Sequence, residues 1–232
     1  MNEDIGHRMD GTAIDFSPNR LILIAVLLAG GLVYAGAETG AAMISLEQMT
    51  PGTPPAGFTF ARTGQGYPAQ WSVTDDATAA SHRTIEQVST DRADYRFPLA
   101  IYDAVVADNV DVRLQFRAVA GRIDQAAGIA VRLRDADNYY VARANALEDN
   151  VRFYRVVKGR REQLAGANLK VTGGVWHSLG LRAQGNQFTV SYDDKVLFVA
   201  TDDTFATAGK VALWTKSDSI IRFDQIEVTP LP

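Results

Sequence analysis

The stretch Gly128–Arg161, GIAVRLRDADNYYVARANALEDNVRFYRVVKGRR, decides how this chain folds. It contains three alternating runs, Ala127–Arg134, Tyr139–Ala144 and Val151–Lys158, separated by the Asp/Asn-rich turns RDADN and NALEDN. A period of two means strands, because successive side chains leave opposite faces of a sheet. Ile129, Val131 and Leu133 share one face; Ala130, Arg132 and Arg134 share the other. Even-length turns at Asp135–Asn138 and Asn145–Asn150 carry both faces across all three strands. Tyr140, Ala142, Ala144, Val151, Phe153 and Val157 then join the apolar side. Arg132, Tyr139, Arg143, Arg152 and Tyr154 gather on the opposite side. A three- or five-residue turn would flip the parity and scatter them.

The same texture continues on both sides of this stretch. Further strands are expected at Thr84–Ser89, Val110–Val119, His177–Ala183, Gln187–Asp193, Lys195–Thr201, Lys210–Lys216 and Ile220–Thr229, with turns at VTGG, AQGN and YDDK. Many short strands with almost no helical periodicity specify an all-β, antiparallel β-sandwich. The best helix candidate is one turn near Asp202–Ala206. If Val211 and Leu213 face the core, Trp214 and Lys216 face outward, and Asp218 reaches the same face. Trp71 and Trp176 are expected in the core and His177 at the solvent.

Several of these elements resemble a known superfamily. Trp176 with its alternating strand, the hairpins GNQFTV and DDKVLF, the segment GKVALWTKSDS led by Gly209 and the final FDQIEV are similar to concanavalin A-like jelly rolls. Laminin-G-like modules belong to that superfamily, and the closest likeness is to the 3-keto-disaccharide hydrolase domain. The resemblance covers about residues 58–232 and specifies fold far better than activity, since this fold carries lectins, glucanases and inert spacers. It implies a sandwich with one concave sheet. On that sheet Arg132, Tyr139, Arg143, Arg152, Tyr154, Trp214, Lys216 and Asp218 form the expected ligand surface. Guanidinium groups donate directed hydrogen bonds, and aromatic rings stack on sugar faces. The expected partner is a carbohydrate or glycoconjugate. The same residues also suit a solvated face paired with carboxylates such as Asp135, Glu148 and Asp149.

Composition narrows the functional classes. The chain has 232 residues, 47% hydrophobic and 22% charged, with a formal net charge of -4. Nonspecific nucleic-acid binding needs a general cationic excess, so no nucleic-acid partner is expected. There is no cysteine, which excludes disulfides, thiolate nucleophiles and cysteine-ligated zinc. Residues Leu21–Ala35, LILIAVLLAGGLVYA, are short for a membrane span and suit the apolar core of a signal peptide, with Ala35-Gly36-Ala37 as a small-x-small cleavage site. Glu3, Asp4, Asp10 and Asp15 against Arg8 and Arg20 depart from the usual positive start, which keeps an uncleaved anchor as the alternative. Residues 1–37 are thus a signal peptide or anchor, 38–57 a Pro/Gly-marked linker containing MTPGTPPAGF, and 58–232 the jelly-roll domain. Export to a periplasm or medium is expected, with membrane contact only through an uncleaved N-terminal segment.

Catalytic signatures are few. His7, His82 and His177 are the only histidines, and no HExxH, GxSxG or P-loop is present. TGQGYPA is not a dinucleotide fingerprint. Glucanases of this fold carry acids spaced by two on one strand, and that pattern is missing. Glu86, Asp218, Asp224 and Glu227 are the nearest acids on or beside strands. No cofactor is called for; calcium at Asp135-Ala136-Asp137-Asn138 is the alternative, and turn formation accounts for the same residues. The leading expectation is a noncatalytic carbohydrate-binding or interaction module. A glycoside-processing hydrolase or lyase of the 3-keto-disaccharide type is the rival, and a structural domain without small ligand is the third reading.

Overall fold

The computed structural model describes residues 40–232. The apolar run Leu21–Ala35, the cleavage site after Ala37 and His7 lie outside the described residues. Among the described residues no helix is long and apolar enough to cross a membrane.

Fifteen strands follow one another: β1 (Ala42–Met43), β2 (Phe58–Gly64), β3 (Trp71–Asp75), β4 (Arg83–Gln87), β5 (Arg96–Ala107), β6 (Val110–Ala120), β7 (Ala126–Asp135), β8 (Asn138–Asn145), β9 (Asn150–Val157), β10 (Arg160–Asn168), β11 (Trp176–Gln184), β12 (Gln187–Tyr192), β13 (Lys195–Thr201), β14 (Gly209–Thr215) and β15 (Ile220–Pro230). They form two antiparallel sheets. An eight-stranded sheet has the order β13-β12-β11-β6-β15-β4-β3, with β1 added on β15, and a seven-stranded sheet runs β10-β9-β8-β7-β14-β5-β2. Chain neighbours such as β6 and β7 lie in different sheets, as in a sandwich of linked hairpins.

The inter-sheet core takes alternate residues from both sheets. Leu114, Phe116, Leu179, Leu181, Phe188, Val190 and Phe223 meet Ile129, Val131, Tyr140, Ala142, Phe153, Val211 and Leu213. Tyr140 is central, with its ring 4.4 Å from Phe188 and 5.8 Å from Phe153. Its hydroxyl donates to Asp202 Oδ1 at 2.5 Å and accepts from the Phe205 N–H. Burial first, and then the Asp202 carboxylate, push the phenol up to about 12. Asp202 also accepts from the Thr204 N–H, so Asp202–Ala206, expected as a helical turn, is an irregular loop pinned by a carboxylate. Pairing of Ala42 with Val228 and burial of Ile44 and Leu46 bring residues 42–46 into the sandwich ahead of Phe58.

Two side-chain assignments at β11 are reversed. Alternation with buried Leu179 and Leu181 turns His177 inward, where it stacks on Tyr192 at 5.1 Å and holds Asp193 at 2.9 Å. Trp176 therefore points outward; its indole donates to Thr78 Oγ1, and Arg117 lies over the ring at 5.2 Å.

The decisive stretch keeps its parity except at one place. Asp135 pairs with Asn138 and Asn145 with Asn150, so both turns are even. Between Val131 and Asp135 the register shifts, and Arg132 adopts φ 49°. This is a β-bulge with a non-glycine residue in the left-handed region. It reverses the faces of the next two residues only, and the Asp135–Asn138 pair restores the parity for β8 and β9. Leu133 moves to the outer face, while Arg134 turns to Phe205, 4.8 Å from the ring. Arg132 itself is buried at one end of the sandwich. Its Nε donates to Asp108 O at 2.8 Å, Nη1 to Phe205 O at 2.8 Å, and Nη2 to Gly185 O. The expectation that Arg132 stands beside Arg143 is thus corrected: the bulge converts it into an internal clamp on three loop carbonyls.

Candidate functional site

The outer face of the seven-stranded sheet holds a second apolar cluster. Phe97, Leu99 and Ile101 of β5, Ala212 and Trp214 of β14, Ala130 of β7, Tyr139 and Val141 of β8, and Tyr154 and Val156 of β9 compose it. Trp214 stacks on Phe97 at 5.2 Å and donates through Nε1 to the Tyr139 hydroxyl at 3.2 Å. That hydroxyl also meets Thr63 Oγ1 at 2.8 Å. Burial raises the Tyr139 phenol well above its ordinary value, so it stays neutral. Tyr139 and Trp214 are each 0% exposed. They act as a hydrogen-bonded floor and have no free ring face to offer.

Gly128 lets this floor meet the polar margin. A Cβ there would lie 2.9 Å from Ala142 O, 3.0 Å from Trp214 Cε3 and 3.3 Å from Arg143 Cβ. Trp214 and Arg143 flank it through the β14–β7 and β7–β8 pairings. Gly128→Ala is expected to cost about 1–3 kcal/mol through overpacking. Chemical denaturation checks this, as a lower midpoint at unchanged slope.

Two linked ionic clusters occupy the margin. In the first, Arg143 Nη2 donates to Glu148 Oε2 at 2.7 Å and to the Tyr154 hydroxyl at 3.2 Å, while Nη1 holds Asn150. In the second, Lys216 Nζ lies 2.7 Å from Asp124 Oδ2 and 3.2 Å from Asp94 Oδ1, and Asn145 Nδ2 donates to Asp124 Oδ1 at 2.6 Å. Asp218 organises the loop beneath. Its carboxylate accepts the N–H groups of Arg122 and Ile123, both at 2.9 Å, and of Asp124 at 3.2 Å, with Arg92 at 3.8 Å. Asp218 is therefore a positioning residue for Asp124.

The two carboxyl groups respond oppositely to their surroundings. Burial pushes Asp124 up and outweighs the pull of Lys216. Burial also acts on Glu148, but the Arg143 charge and the Asn150 hydrogen bond prevail and hold it below the usual range. For Lys216, burial opposes the charge while Asp124 outweighs it, and the ammonium is raised. Accessibility is graded: the Arg143 side chain is 5% exposed, Lys216 14%, Glu148 43% and Asp94 78%. Leu147 and Ile123 add exposed apolar surface to the same margin.

Of the residues expected on this face, Tyr139, Arg143, Tyr154 and Trp214 come together, with Lys216 and Asp218 at their margin. Arg152 sits on the same face but at the β9–β10 edge, directed to Ala167 O at 2.7 Å and Asn168 Oδ1 at 2.5 Å. Arg132 lies elsewhere. Asp135 accepts from the Asp137 N–H and from Asn138 Nδ2, which is the turn chemistry of DADN. Among the described residues no group of three or more His, Cys, Asp or Glu side chains is placed to hold a metal ion. Asp124, Asp94 and Arg161 escaped sequence reasoning. Arg161 lies 4.4 Å over Tyr154 and 4.9 Å over Phe97; its strand, β10, has no clear alternation to reveal it.

No family model and no curated protein matches the sequence. Solved structures match the fold. Carbohydrate binding module CBM66 from Bacillus subtilis aligns with a TM-score of 0.58 at 18% identity, over 73% of this chain and 94% of that one. The Bacillus licheniformis beta-glucanase aligns with a TM-score of 0.52 at 10% identity, over 83% and 99%. A Bacillus subtilis protein of unknown function with a galectin-like fold gives 0.53 at 8% identity, over 73% and 88%. The fold is an antiparallel β-sandwich of the concanavalin A-like jelly-roll kind.

Proposed function

We propose that this chain is an exported carbohydrate-binding β-sandwich whose saccharide is held at the Glu148–Lys216 margin of the seven-stranded sheet. One observation carries the reading: exposed Glu148 and Asp94 are fixed from beneath by the nearly buried cations Arg143 and Lys216. Pre-set charged acceptors beside apolar surface suit sugar hydroxyls and the C–H faces next to them, since little ordering is left for binding. The fold neighbours, one of them a carbohydrate binding module, support the same class. Export through Leu21–Ala35 belongs to the proposal and is tested by sequencing the mature N-terminus.

A glycan array with the wild-type chain, Glu148→Ala and Asp94→Ala tests the site. Both substitutions are at exposed positions. Loss of about tenfold in affinity, or about 1.4 kcal/mol, is expected from each. Equal binding by all three proteins moves the site elsewhere, and no binding by wild type ends the proposal.

The opposed responses of Asp124 and Glu148 support a second reading, a glycoside-processing enzyme of the 3-keto-disaccharide hydrolase type. Carboxyl groups driven apart in acidity take acid and base roles in such chemistry. Turnover of a 3-keto-glycoside by wild type, abolished in Glu148→Gln at unchanged melting temperature, is its expected result. Absence of turnover ends it.

A further inference from the structure

Asp94 reaches the saccharide margin from a segment that belongs to neither sheet. Residues 88–95 leave β4 in the eight-stranded sheet and enter β5 in the seven-stranded one without strand pairing of their own. The two ends of this segment are built in. Buried Gln87 donates through Nε2 to Ser89 O at 3.0 Å and to Ser219 O at 2.7 Å. The Asp91 carboxylate accepts the N–H groups of Tyr67 at 2.5 Å and Ala93 at 3.0 Å. Buried Arg96 donates to Ser217 O at 2.8 Å, Tyr67 O at 3.1 Å and Pro68 O at 3.2 Å. Between them, the Asp94 side chain has one polar contact among the described residues, Lys216. That lysine is shared with Asp124, and an ion pair with a mostly exposed carboxylate contributes little ordering by itself.

The next residue supplies a firmer hold. Tyr95 Oη donates to Gly159 O at 2.8 Å and accepts the Arg161 N–H at 2.9 Å. Gly159 lies in the β9–β10 turn and Arg161 at the start of β10. Strands β9, β8, β7 and β14 stand between β10 and β5 in the sheet. The phenol therefore ties the segment that carries Asp94 to the opposite edge of the seven-stranded sheet. Packing alone would not call for the hydroxyl, since the ring already meets Phe97 edge-on at 4.8 Å. One bond donated and one accepted fix the ring against two backbone groups. The main chain at Tyr95 is seated as well. Gly64, with φ 79°, occupies a place where a Cβ would collide with Tyr95 O, and the Gln65 N–H donates to that oxygen at 2.9 Å.

We propose that Tyr95 is a positioning residue of the saccharide site: its hydroxyl latches residues 88–95 onto the β9–β10 turn and so presents Asp94 in one place before ligand arrives. The inference rests on the carbohydrate reading and identifies what sets one of its two exposed acceptors. Ordering completed before binding raises affinity, because less freedom is lost on association. Tyr95 acts through Asp94 and needs no ligand contact of its own.

The same glycan array, probed with dilution series of the full chain, tests the latch. Tyr95→Phe removes the hydroxyl and keeps the ring on Phe97. It is expected to weaken binding about three- to tenfold, and no more than Asp94→Ala does. Added to Asp94→Ala it should have no further effect, whereas added to Glu148→Ala it should have its full effect. Without saccharide, Tyr95→Phe should speed amide hydrogen exchange at Arg161 and lower the backbone order parameters of residues 92–95. Wild-type affinity in Tyr95→Phe, or unchanged order at residues 92–95, overturns the proposal. So does an equal loss from Tyr95→Phe in the Asp94→Ala background, which marks a general effect on the fold. Full affinity in Asp94→Ala removes Asp94 from the site and overturns the latch while leaving saccharide binding intact. No saccharide bound by wild type overturns both the latch and the carbohydrate reading.

Discussion

Replacing Lys216 by Met is expected to destabilise the fold by about 3–5 kcal/mol, because it leaves the Asp124 carboxylate buried without its cation. Asp124 is 1% exposed and its nearest cation is Lys216 Nζ at 2.7 Å. Burial already raises this carboxyl with the lysine present. A group whose folded value lies above its unfolded value adds stability as pH falls through the folded value. The deficit of the Met variant therefore shrinks on acidification, as Asp124 takes up a proton and becomes neutral. A second substitution, Asp124→Asn, is expected to recover part of the loss at neutral pH. Denaturant midpoints between pH 5 and 8 measure all three effects. A Met variant as stable as wild type at pH 8 would show that the pair is not buried as described.

The second large effect is at Arg132. Arg132→Met keeps the aliphatic stem but removes three donors, leaving Asp108 O, Phe205 O and Gly185 O without this partner. It also removes the cation 5.1 Å from the Phe188 ring. Each buried polar group left unpaired costs about 1–3 kcal/mol. A total near 3 kcal/mol or more is expected after partial rehydration at the open end of the sandwich. The 107–109, 185 and 203–206 loops should exchange amide hydrogen faster while the β8–β9 ladder keeps its protection. Saccharide binding at Glu148 should be unchanged, since Arg132 does not belong to that face. Loss of binding without loss of stability would return Arg132 to the site.

Arg132 also shows where sequence legibility stops. The alternation of Ile129, Val131, Tyr140, Ala142, Val151 and Phe153 fixes the core face, and the even turns hold it across β7, β8 and β9. A bulge needs only one residue in the left-handed region, and an arginine between Val131 and Leu133 gives no composition signal for it. Strand β5 was illegible for a different reason. It carries Pro98, and both of its faces are buried from Arg96 to Ile101, so no period of two survives. Strand β10 is an exposed edge whose residues answer to pairing with β9 and not to burial. Its Arg161 was hidden with it. At the margin, Arg143, Lys216 and Asp218 were found by face and proximity in the chain. Asp124 and Asp94 lie in loops whose approach depends on long-range closure, which no local pattern encodes.

Saccharide recognition is placed at the Glu148–Lys216 margin, on the outer face of the seven-stranded sheet. Backbone amide NMR titration of the full chain with a saccharide that the array identifies tests this most directly. The predicted result is a set of shifts confined to residues 92–95, 122–125, 143–154 and 214–218. Shifts centred instead on Asp111, Arg113, Arg182 and Asp194, which line a cavity of about 230 Å³ on the eight-stranded sheet, would contradict it.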